Sequence, residues 1–135
     1  MNPVFSKIIA LFLFALSFIL PARPERVDIS LEISEKESQT ITVFWENNTN
    51  KAITEPTFFI ERLTDGKWES LPFAEGFGFP EIYTQHYPTE KGKFTIDTET
   101  VFGSPLPDGT YRLNLRYSLL RSNIKEGSSV CEFTV

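Results

Sequence analysis

Few side chains in this sequence could act as a nucleophile or a general base. His86 is the single histidine and Cys131 the single cysteine among 135 residues. A Ser-His-Asp or Cys-His arrangement would therefore have to use His86, and no Gly-x-Ser-x-Gly motif is present. We interpret His86 as a half-exposed strand residue and Cys131 as a small buried one. The sequence therefore predicts a protein that is not an enzyme.

Metal and cofactor chemistry has little support in the residue types. Zinc sites usually draw four ligands from Cys, His and carboxylates, and the usual sets need more than one His and one Cys. Carboxylates are numerous, but none follows the Asp-x-Asp-x-Asp-Gly order of a calcium loop. Asp65 followed by Gly66 is better explained as a hairpin turn. We expect no metal and no cofactor.

The aromatic residues point to binding, because the chain holds 13 Phe, 4 Tyr and 2 Trp. Phe73, Phe77 and Phe79 alternate with small residues in a Pro-terminated segment that does not fit a strand. Exposed aromatic residues mark binding sites, so these three are candidates for a partner-binding surface. The other interpretation is a hydrophobic plug over the open end of the fold, and it is favoured because apolar residues are usually buried. Trp68, on a short predicted strand at a sheet margin, is the fourth candidate.

The elements that must position these residues are β-strands. The most regular alternation covers residues 110–119, which follow a Pro-Asp-Gly turn. Period two over this length predicts a strand with one buried face. The order Asp-Gly-x-Tyr also predicts a tyrosine corner, in which the Tyr111 hydroxyl bonds to upstream backbone. The apolar residues on the predicted buried face are Tyr111, Leu113, Leu115, Tyr117 and Leu119.

Shorter alternating segments predict the other strands. Trp45 is placed inward with Ile41 and Val43, and Asp65-Gly66 predicts a tight hairpin. We expect a helical turn near residues 100–102 and a polar hairpin over residues 122–129 that contains Gly127. Turns recur about every ten residues, which predicts an all-β, antiparallel, immunoglobulin-like β-sandwich of about seven to eight strands. The remaining predicted strands cover residues 27–33, 39–46, 57–63, 67–71, 82–87, 94–97 and 129–135.

The first 22 residues have the pattern of a signal peptide. Lys7 provides a short positive region, and residues 8–20 are apolar apart from one serine, too short a stretch for a spanning helix of roughly 20 residues. We expect residues 1–22 to be the signal peptide, residues 23–26 a flexible stub and residues 27–135 one domain. An uncleaved anchor is the alternative. The predicted location is therefore secreted or in the cell envelope.

Charge restricts the class of partner. The chain has a formal net charge of −5, and removal of Lys7 with the signal peptide would make it more negative. This balance argues against nucleic acid and against anionic membrane surfaces. We expect the partner to be a protein or another cell-envelope component, with no membrane contact apart from the signal segment. The oligomeric state stays open.

Three pieces of the sequence are similar to one known family. Residues 43–51 resemble its pattern of a strand, Glu-Asn-Asn, a polar turn and Lys. Residues 59–73 resemble its Asp-Gly-x-Trp-x-x-Leu-Pro hairpin, and residues 106–113 its Leu-Pro-x-Gly-x-Tyr-Arg turn. In this order and spacing they resemble the bacterial immunoglobulin-like domains of exported and cell-surface proteins, over about residues 27–135. The resemblance implies a sandwich fold, export and no catalytic residues.

The expected function is that of a non-enzymatic binding or structural module in the bacterial cell envelope. The alternative is a secreted proteinase inhibitor that presents a loop from an immunoglobulin-like scaffold. A protruding segment over residues 73–80 or 98–107 would favour the inhibitor, whereas a flush surface would favour the binding module.

Overall fold

A computed structural model of the chain describes residues 25–81, 84–120 and 125–135. The predicted signal peptide lies outside the described residues. In these ranges the chain forms nine strands and a short helix, α1 (Thr98–Phe102). The strands are β1 (Val27–Ser34), β2 (Thr40–Asn47), β3 (Ile53–Thr54), β4 (Thr57–Thr64), β5 (Lys67–Ser70), β6 (Gln85–His86), β7 (Lys91–Asp97), β8 (Thr110–Leu119) and β9 (Lys125–Thr134).

The strands form two antiparallel sheets. The first sheet has the order β1, β2, β7. In the second sheet β4 lies between β5 and β8, and β9 pairs with the other side of β8. β3 also pairs with β8, and β6 pairs with β3. Apolar residues from both sheets form one shared core. Two packed antiparallel sheets around one core are an immunoglobulin-like β-sandwich, so the predicted fold class is confirmed.

Period-two alternation produces the core as the sequence predicts. In β2, Ile41, Val43 and Trp45 are buried, while Phe44 between them is exposed on the outer face. Each fully buried large apolar side chain contributes roughly 1.5–3 kcal/mol. β2 and β8 therefore supply much of the stabilising burial, because each is flanked by strands on both sides. The buried apolar residues of β8 are Tyr111, Leu113, Leu115 and Tyr117.

β3 and β4 behave as one strand with a break. Both pair with the same side of β8, with Ile53 opposite Leu119 and Thr57 opposite Arg116. Between these two pairs the β3–β4 side contains one residue more than β8, as in a β-bulge. Pro56 lies at the break, where its missing N–H removes nothing from a regular ladder. The break opens a gap beside the core.

Tyr111 closes the turn that precedes β8. The residue is fully buried, and its hydroxyl donates to the carbonyl oxygen of Pro107 at 2.5 Å. Gly109 and Val135 exchange two backbone hydrogen bonds on the same turn, with N–O distances of 3.1 and 3.0 Å. The predicted tyrosine corner is therefore confirmed.

Asn47, the last residue of β2, is a buried polar residue with every side-chain group bonded. Its amide nitrogen donates to the carbonyl oxygens of Lys51 and His86 at 2.9 and 3.1 Å. Its amide oxygen accepts from the backbone N–H and the hydroxyl of Thr49. Its backbone bonds to the residues just before β7. One residue therefore fixes the turn after β2 and strand β6 through its side chain and the start of β7 through its backbone.

Two glycines lie directly opposite large aromatic residues on neighbouring strands. Gly92 of β7 faces Trp45, and Gly127 of β9 faces Tyr117. A Cβ atom at Gly92 would lie 2.3 Å from Cζ2 of Trp45, and one at Gly127 would lie 2.4 Å from Cε2 of Tyr117. Each aromatic ring therefore occupies the space that a side chain on the opposite strand would need.

Some predicted boundaries need correction. The prediction that Gly127 belongs to a polar hairpin over residues 122–129 is wrong, because β9 already begins at Lys125. Glycine signals a turn in sequence, whereas here it makes room for Tyr117. Residues 121–124 lie outside the described residues. Gly92 is likewise part of a strand and not of a turn, because it makes room for Trp45. β7 therefore begins at Lys91, earlier than predicted. Residues 82–83, in the predicted strand over 82–87, lie outside the described ranges.

The tyrosine corner gives a direct stability test. Tyr111→Phe removes the hydroxyl that bonds the carbonyl oxygen of Pro107 and leaves that oxygen without this donor. We expect the free energy of unfolding in urea to fall by about 1 kcal/mol, the net value of one hydrogen bond. Tyr87→Phe is the matched control, because Tyr87 is 62% exposed. Equal effects of the two substitutions would contradict the assigned role of Tyr111.

A larger loss is expected for Asn47→Ala. The substitution leaves the carbonyl oxygens of Lys51 and His86 without their amide donor and Thr49 without its acceptor. Because several buried polar groups lose partners, we expect a loss of about 3 kcal/mol or more in urea unfolding. Asn50→Ala, in the same turn at an exposed position, should change stability by less than about 0.5 kcal/mol.

Candidate functional site

The predicted aromatic segment, residues 73–80, follows the β4–β5 hairpin. Asp65 and Gly66 adopt φ values of 51° and 76°, as a tight two-residue turn requires, and Thr64 pairs with Lys67. The predicted hairpin is therefore confirmed. After β5 the chain leaves the sheet and crosses the side of the sandwich towards β6.

Backbone hydrogen bonds hold the crossing segment against the sandwich. The N–H of Ala74 donates to the carbonyl oxygen of Val101 in α1 at 2.8 Å, and the N–H of Phe77 donates to Ala74 at 3.0 Å. Gly76 provides the turn between them with a φ of 80°. The segment therefore lies along the sandwich and does not protrude as a free loop.

The three phenylalanines of this segment join an aromatic cluster with three inward-facing residues. Phe73 stacks on Phe102 with ring centroids 5.7 Å apart, and Phe79 meets Phe58 edge to face at 5.1 Å. Phe58 also stacks on Phe94 of β7 at 5.5 Å, which joins the two sheets. Aromatic pairs at these separations stabilise beyond their buried area. The aromatic cluster consists of Phe58, Phe73, Phe77, Phe79, Phe94 and Phe102.

The aromatic cluster is partly buried and partly exposed. Phe77 packs against the core, whereas Phe73 and Phe79 remain 37% and 36% exposed. A pocket of about 220 Å³ opens beside Phe79. Its lining is mostly apolar and consists of Glu55, Pro56, Thr57, Phe58, Phe79, Pro80 and Phe94. Small-molecule and side-chain sites have this character, apolar walls with a few polar groups.

Trp68 lies apart from the aromatic cluster. It pairs with Leu63, so its side chain is on the outer face of the second sheet, opposite to the face that carries Phe58 and Ile60. The guanidinium of Arg112 lies over its ring, 4.4 Å from the ring centroid. The structure therefore brings together Phe73, Phe77 and Phe79, and it places Trp68 on a different surface.

A polar network surrounds Trp68 on that outer face. Arg112 forms two hydrogen bonds to the carboxylate of Glu61, at 2.7 and 3.2 Å, and Asn114 donates to the same carboxylate at 2.7 Å. The Arg112 guanidinium lowers the pKa of Glu61, opposed by burial and helped by Asn114. The carboxylate is therefore held ionised, with its oxygens occupied. Sequence reasoning missed this network, which depends on the register of β4 against β8.

His86 is engaged on both ring nitrogens. Nδ1 lies 2.8 Å from a carboxylate oxygen of Glu90, and Nε2 contacts the carboxylate of Glu55. The ring also meets Trp45 edge to face, with centroids 4.6 Å apart. With both nitrogens held by carboxylates, neither is available as a base towards a substrate. Glu55 follows β3, which pairs with β6, so its contact with His86 depends on that pairing. Glu90 lies four residues after His86 in the chain. Sequence reasoning missed both partners.

Cys131 is remote from His86. β3 and β8 lie between β6 and β9 in the second sheet, so the two strands are on the order of 14 Å apart at ~4.8 Å per strand. A nucleophile and its base need about 3 Å. Burial, reinforced by Glu132, raises the pKa of the Cys131 thiol. Cys131 is half-buried, less so than predicted. Its raised pKa keeps the thiol protonated and unreactive.

Comparison with known proteins identifies the family. A family model described as "Bacterial Ig-like domain" matches residues 23–128, most of the chain.

The chain belongs to the bacterial Ig-like domain family.

Further comparisons add a structural likeness to this bacterial Ig-like domain. The GAE domain of GGA2p from Saccharomyces cerevisiae is similar at 16% sequence identity and a TM-score of 0.44, with 86% of this chain and 95% of that chain covered. No curated protein sequence matches this chain. Within residues 25–81, 84–120 and 125–135, no helix is long and apolar enough to cross a membrane. The same ranges contain no group of three or more His, Cys, Asp or Glu residues that could hold a metal ion.

The surroundings of His86 predict a pH-dependent stability for this bacterial Ig-like domain. Burial lowers the pKa of His86, but the carboxylates of Glu55 and Glu90 together outweigh it, and the net pKa is raised. A group with a raised pKa in the folded state contributes stability below its ordinary value of about 6.5, and this contribution is lost as the pH rises through the raised pKa.

We therefore expect the free energy of unfolding to fall as the pH rises from the ordinary histidine pKa of about 6.5 through the raised pKa of His86. His86→Gln should flatten that part of the profile, and Glu90→Gln should reduce it without abolishing it. Urea unfolding at a series of pH values measures the difference between each variant and the unaltered protein. Identical pH profiles for all three proteins would show that His86 is not the titrating group.

Proposed function

We propose that this bacterial Ig-like domain is a non-enzymatic binding module of the cell envelope, and that its aromatic cluster is the contact surface for a protein or another envelope component. The observation that carries the proposal is the half-exposure of Phe73 and Phe79 beside an open apolar pocket. Interfaces are enriched in aromatic residues that fill pockets and exclude water. The exposure of these two phenylalanines side by side supports a role in binding as well as in packing.

Several features support a role without catalysis. Both nitrogens of His86 are bonded to carboxylates, and the carboxylate of Glu61 is occupied by Arg112 and Asn114. These two groups are therefore committed to holding the fold. The proposed module needs neither a metal nor a cofactor.

Export is part of the proposal. Residues 1–22 combine Lys7 with an apolar stretch of signal-peptide length. A mature chain with a negative net charge is suited to partners other than nucleic acid or anionic lipid. The proposed location is the cell envelope or the exterior, and the proposed partner is a protein or an envelope polymer.

The alternative, a proteinase inhibitor, would present a rigid loop to an enzyme cleft. Residues 73–80 are fastened to α1 through Ala74 and Val101, and Thr98 and Val101 are themselves buried. Both segments that could serve as inhibitory loops therefore lie against the sandwich. This geometry favours a binding surface.

The proposal is tested by partner capture from envelope extracts with the purified protein. We expect Phe73→Ser and Phe79→Ser to reduce the captured partner about tenfold, as hot-spot aromatic residues do. Phe44→Ser is the matched control, because Phe44 is equally exposed at 37% but lies on the outer face of the first sheet. It should leave capture unchanged.

Stability measurements separate binding from folding. Urea unfolding of the three variants should give similar midpoints, since each removes a half-exposed ring. If Phe73→Ser and Phe79→Ser unfold the domain while Phe44→Ser does not, the aromatic cluster is a structural plug. The partner surface then lies elsewhere, and the outer face around Trp68 becomes the next candidate.

A further inference from the structure

β7 is an edge strand, and the backbone groups of alternate residues point towards β2 and away from it. It pairs with β2, and in the described ranges no other strand pairs with it. The N–H of Asn47 donates to Glu90 at 2.9 Å, and the N–H of Thr98 donates to Gln39 at 3.2 Å. These bonds show that the odd-numbered residues of β2 bond towards β7. Their partners in β7, which therefore bond towards β2, are Gly92, Phe94 and Ile96.

The intervening residues of β7 direct their backbone groups away from β2. Lys91, Lys93 and Thr95 are exposed, and no described backbone group bonds to Lys93 or Thr95 on that side. A row of unpaired N–H and C=O groups is a template for an added strand. The chemistry of this edge therefore selects an extended backbone as its partner.

The pocket of the aromatic cluster lies next to this edge. Phe94 of β7 forms one wall, and Phe58 and Phe79 form the other side. A strand added beside β7 would lie about 4.8 Å from it, with alternate side chains directed inward between the two sheets. The pocket of about 220 Å³ is where such a side chain would point. Its apolar walls select an apolar residue.

The positive charge on the outer face of β7 determines which outward-facing side chains an added strand should carry. Lys91 and Lys93 both point outward, and Lys91 has only a distant ion pair with Glu46, at 4.0 Å. Cross-strand neighbours of opposite charge stabilise a pair of strands, and like charges oppose it. Edge lysines discourage pairing with ordinary strands but favour an acidic one. The outward residues of the added strand should therefore be Asp or Glu.

We propose that the free edge of β7 binds an extended peptide segment of a partner protein by strand addition. An apolar side chain of that peptide occupies the pocket lined by Phe58, Phe79 and Phe94, and acidic residues alternate with it on the outer side. This inference rests on the proposed binding function and specifies the kind of partner. Main-chain hydrogen bonds supply part of the affinity, and the pocket and the two lysines supply the specificity.

The probe is a synthetic peptide, acetyl-EVELEVE-amide, with the same length as the seven-residue β7. Its binding to the purified protein is measured by isothermal titration calorimetry. Thr95→Pro removes an outward N–H from the edge without removing a bond to β2, and Pro is tolerated on edge strands. We expect this variant to weaken peptide binding about tenfold, and Thr95→Val, which keeps the N–H, to change it less than about twofold.

Charge and pocket are tested separately. The peptide acetyl-KVKLKVK-amide should bind at least about tenfold more weakly than the acidic peptide, and Lys93→Glu should reverse this order. Phe79→Ser should weaken the acidic peptide about tenfold, whereas Phe44→Ser should not. Circular dichroism and urea unfolding confirm that each variant is folded, so that a loss of binding is not a loss of structure.

Two results would overturn strand addition. In the first, Phe79→Ser abolishes peptide binding but Thr95→Pro and Thr95→Val bind equally, which means that the pocket binds side chains without an added strand. In the second, neither peptide binds the folded protein. Neither result contradicts the proposed function, because capture of the natural partner can still depend on Phe73 and Phe79. Loss of that dependence would contradict the proposed function itself.

Discussion

The buried amide of Asn47 is the constraint on which the rest of the structure depends. An amide inside a protein must find partners for both hydrogens and for its oxygen, or its desolvation is not offset. Here those partners come from three separate segments, the turn after β2, strand β6 and, through the backbone, the residues before β7. Any displacement of one segment would leave a buried polar group unpaired. The relative positions of β2, β6 and β7 are therefore determined together.

From this point the site is assembled by packing. Once β7 is held against β2, Phe94 lies at the margin of the first sheet, facing Phe58 from the second sheet. The break between β3 and β4 leaves space beside that pair, and Phe79 and Pro80 only partly fill it. The pocket is thus a result of two local features, an edge strand and an interrupted one. Neither feature alone would leave an opening into the core.

The sequence predicted those parts of the fold that depend on local chemistry. Period two identified the buried faces of β2 and β8, Asp65-Gly66 identified a hairpin, and Asp-Gly-x-Tyr identified the tyrosine corner. The prediction from the sequence is wrong where one residue type occurs in two different structural settings. Glycine is common in turns and so predicts a turn at Gly127, but this residue faces Tyr117 within a strand. The structure places Phe73, Phe77 and Phe79 in contact with one another. The surface that Trp68 occupies and the contact of His86 with Glu55 depend on strand register, which no local pattern contains.

The two glycine–aromatic pairs have a consequence for how this domain can change. Trp45 and Gly92 share one volume, as do Tyr117 and Gly127. Any side chain at the glycine requires a smaller one at the aromatic position, and a smaller aromatic position leaves a cavity unless the glycine gains a side chain. The two members of each pair are therefore epistatic, and either single substitution passes through a less stable intermediate. Evolution along these positions is confined to compensated double changes, so each pair should be inherited as a unit.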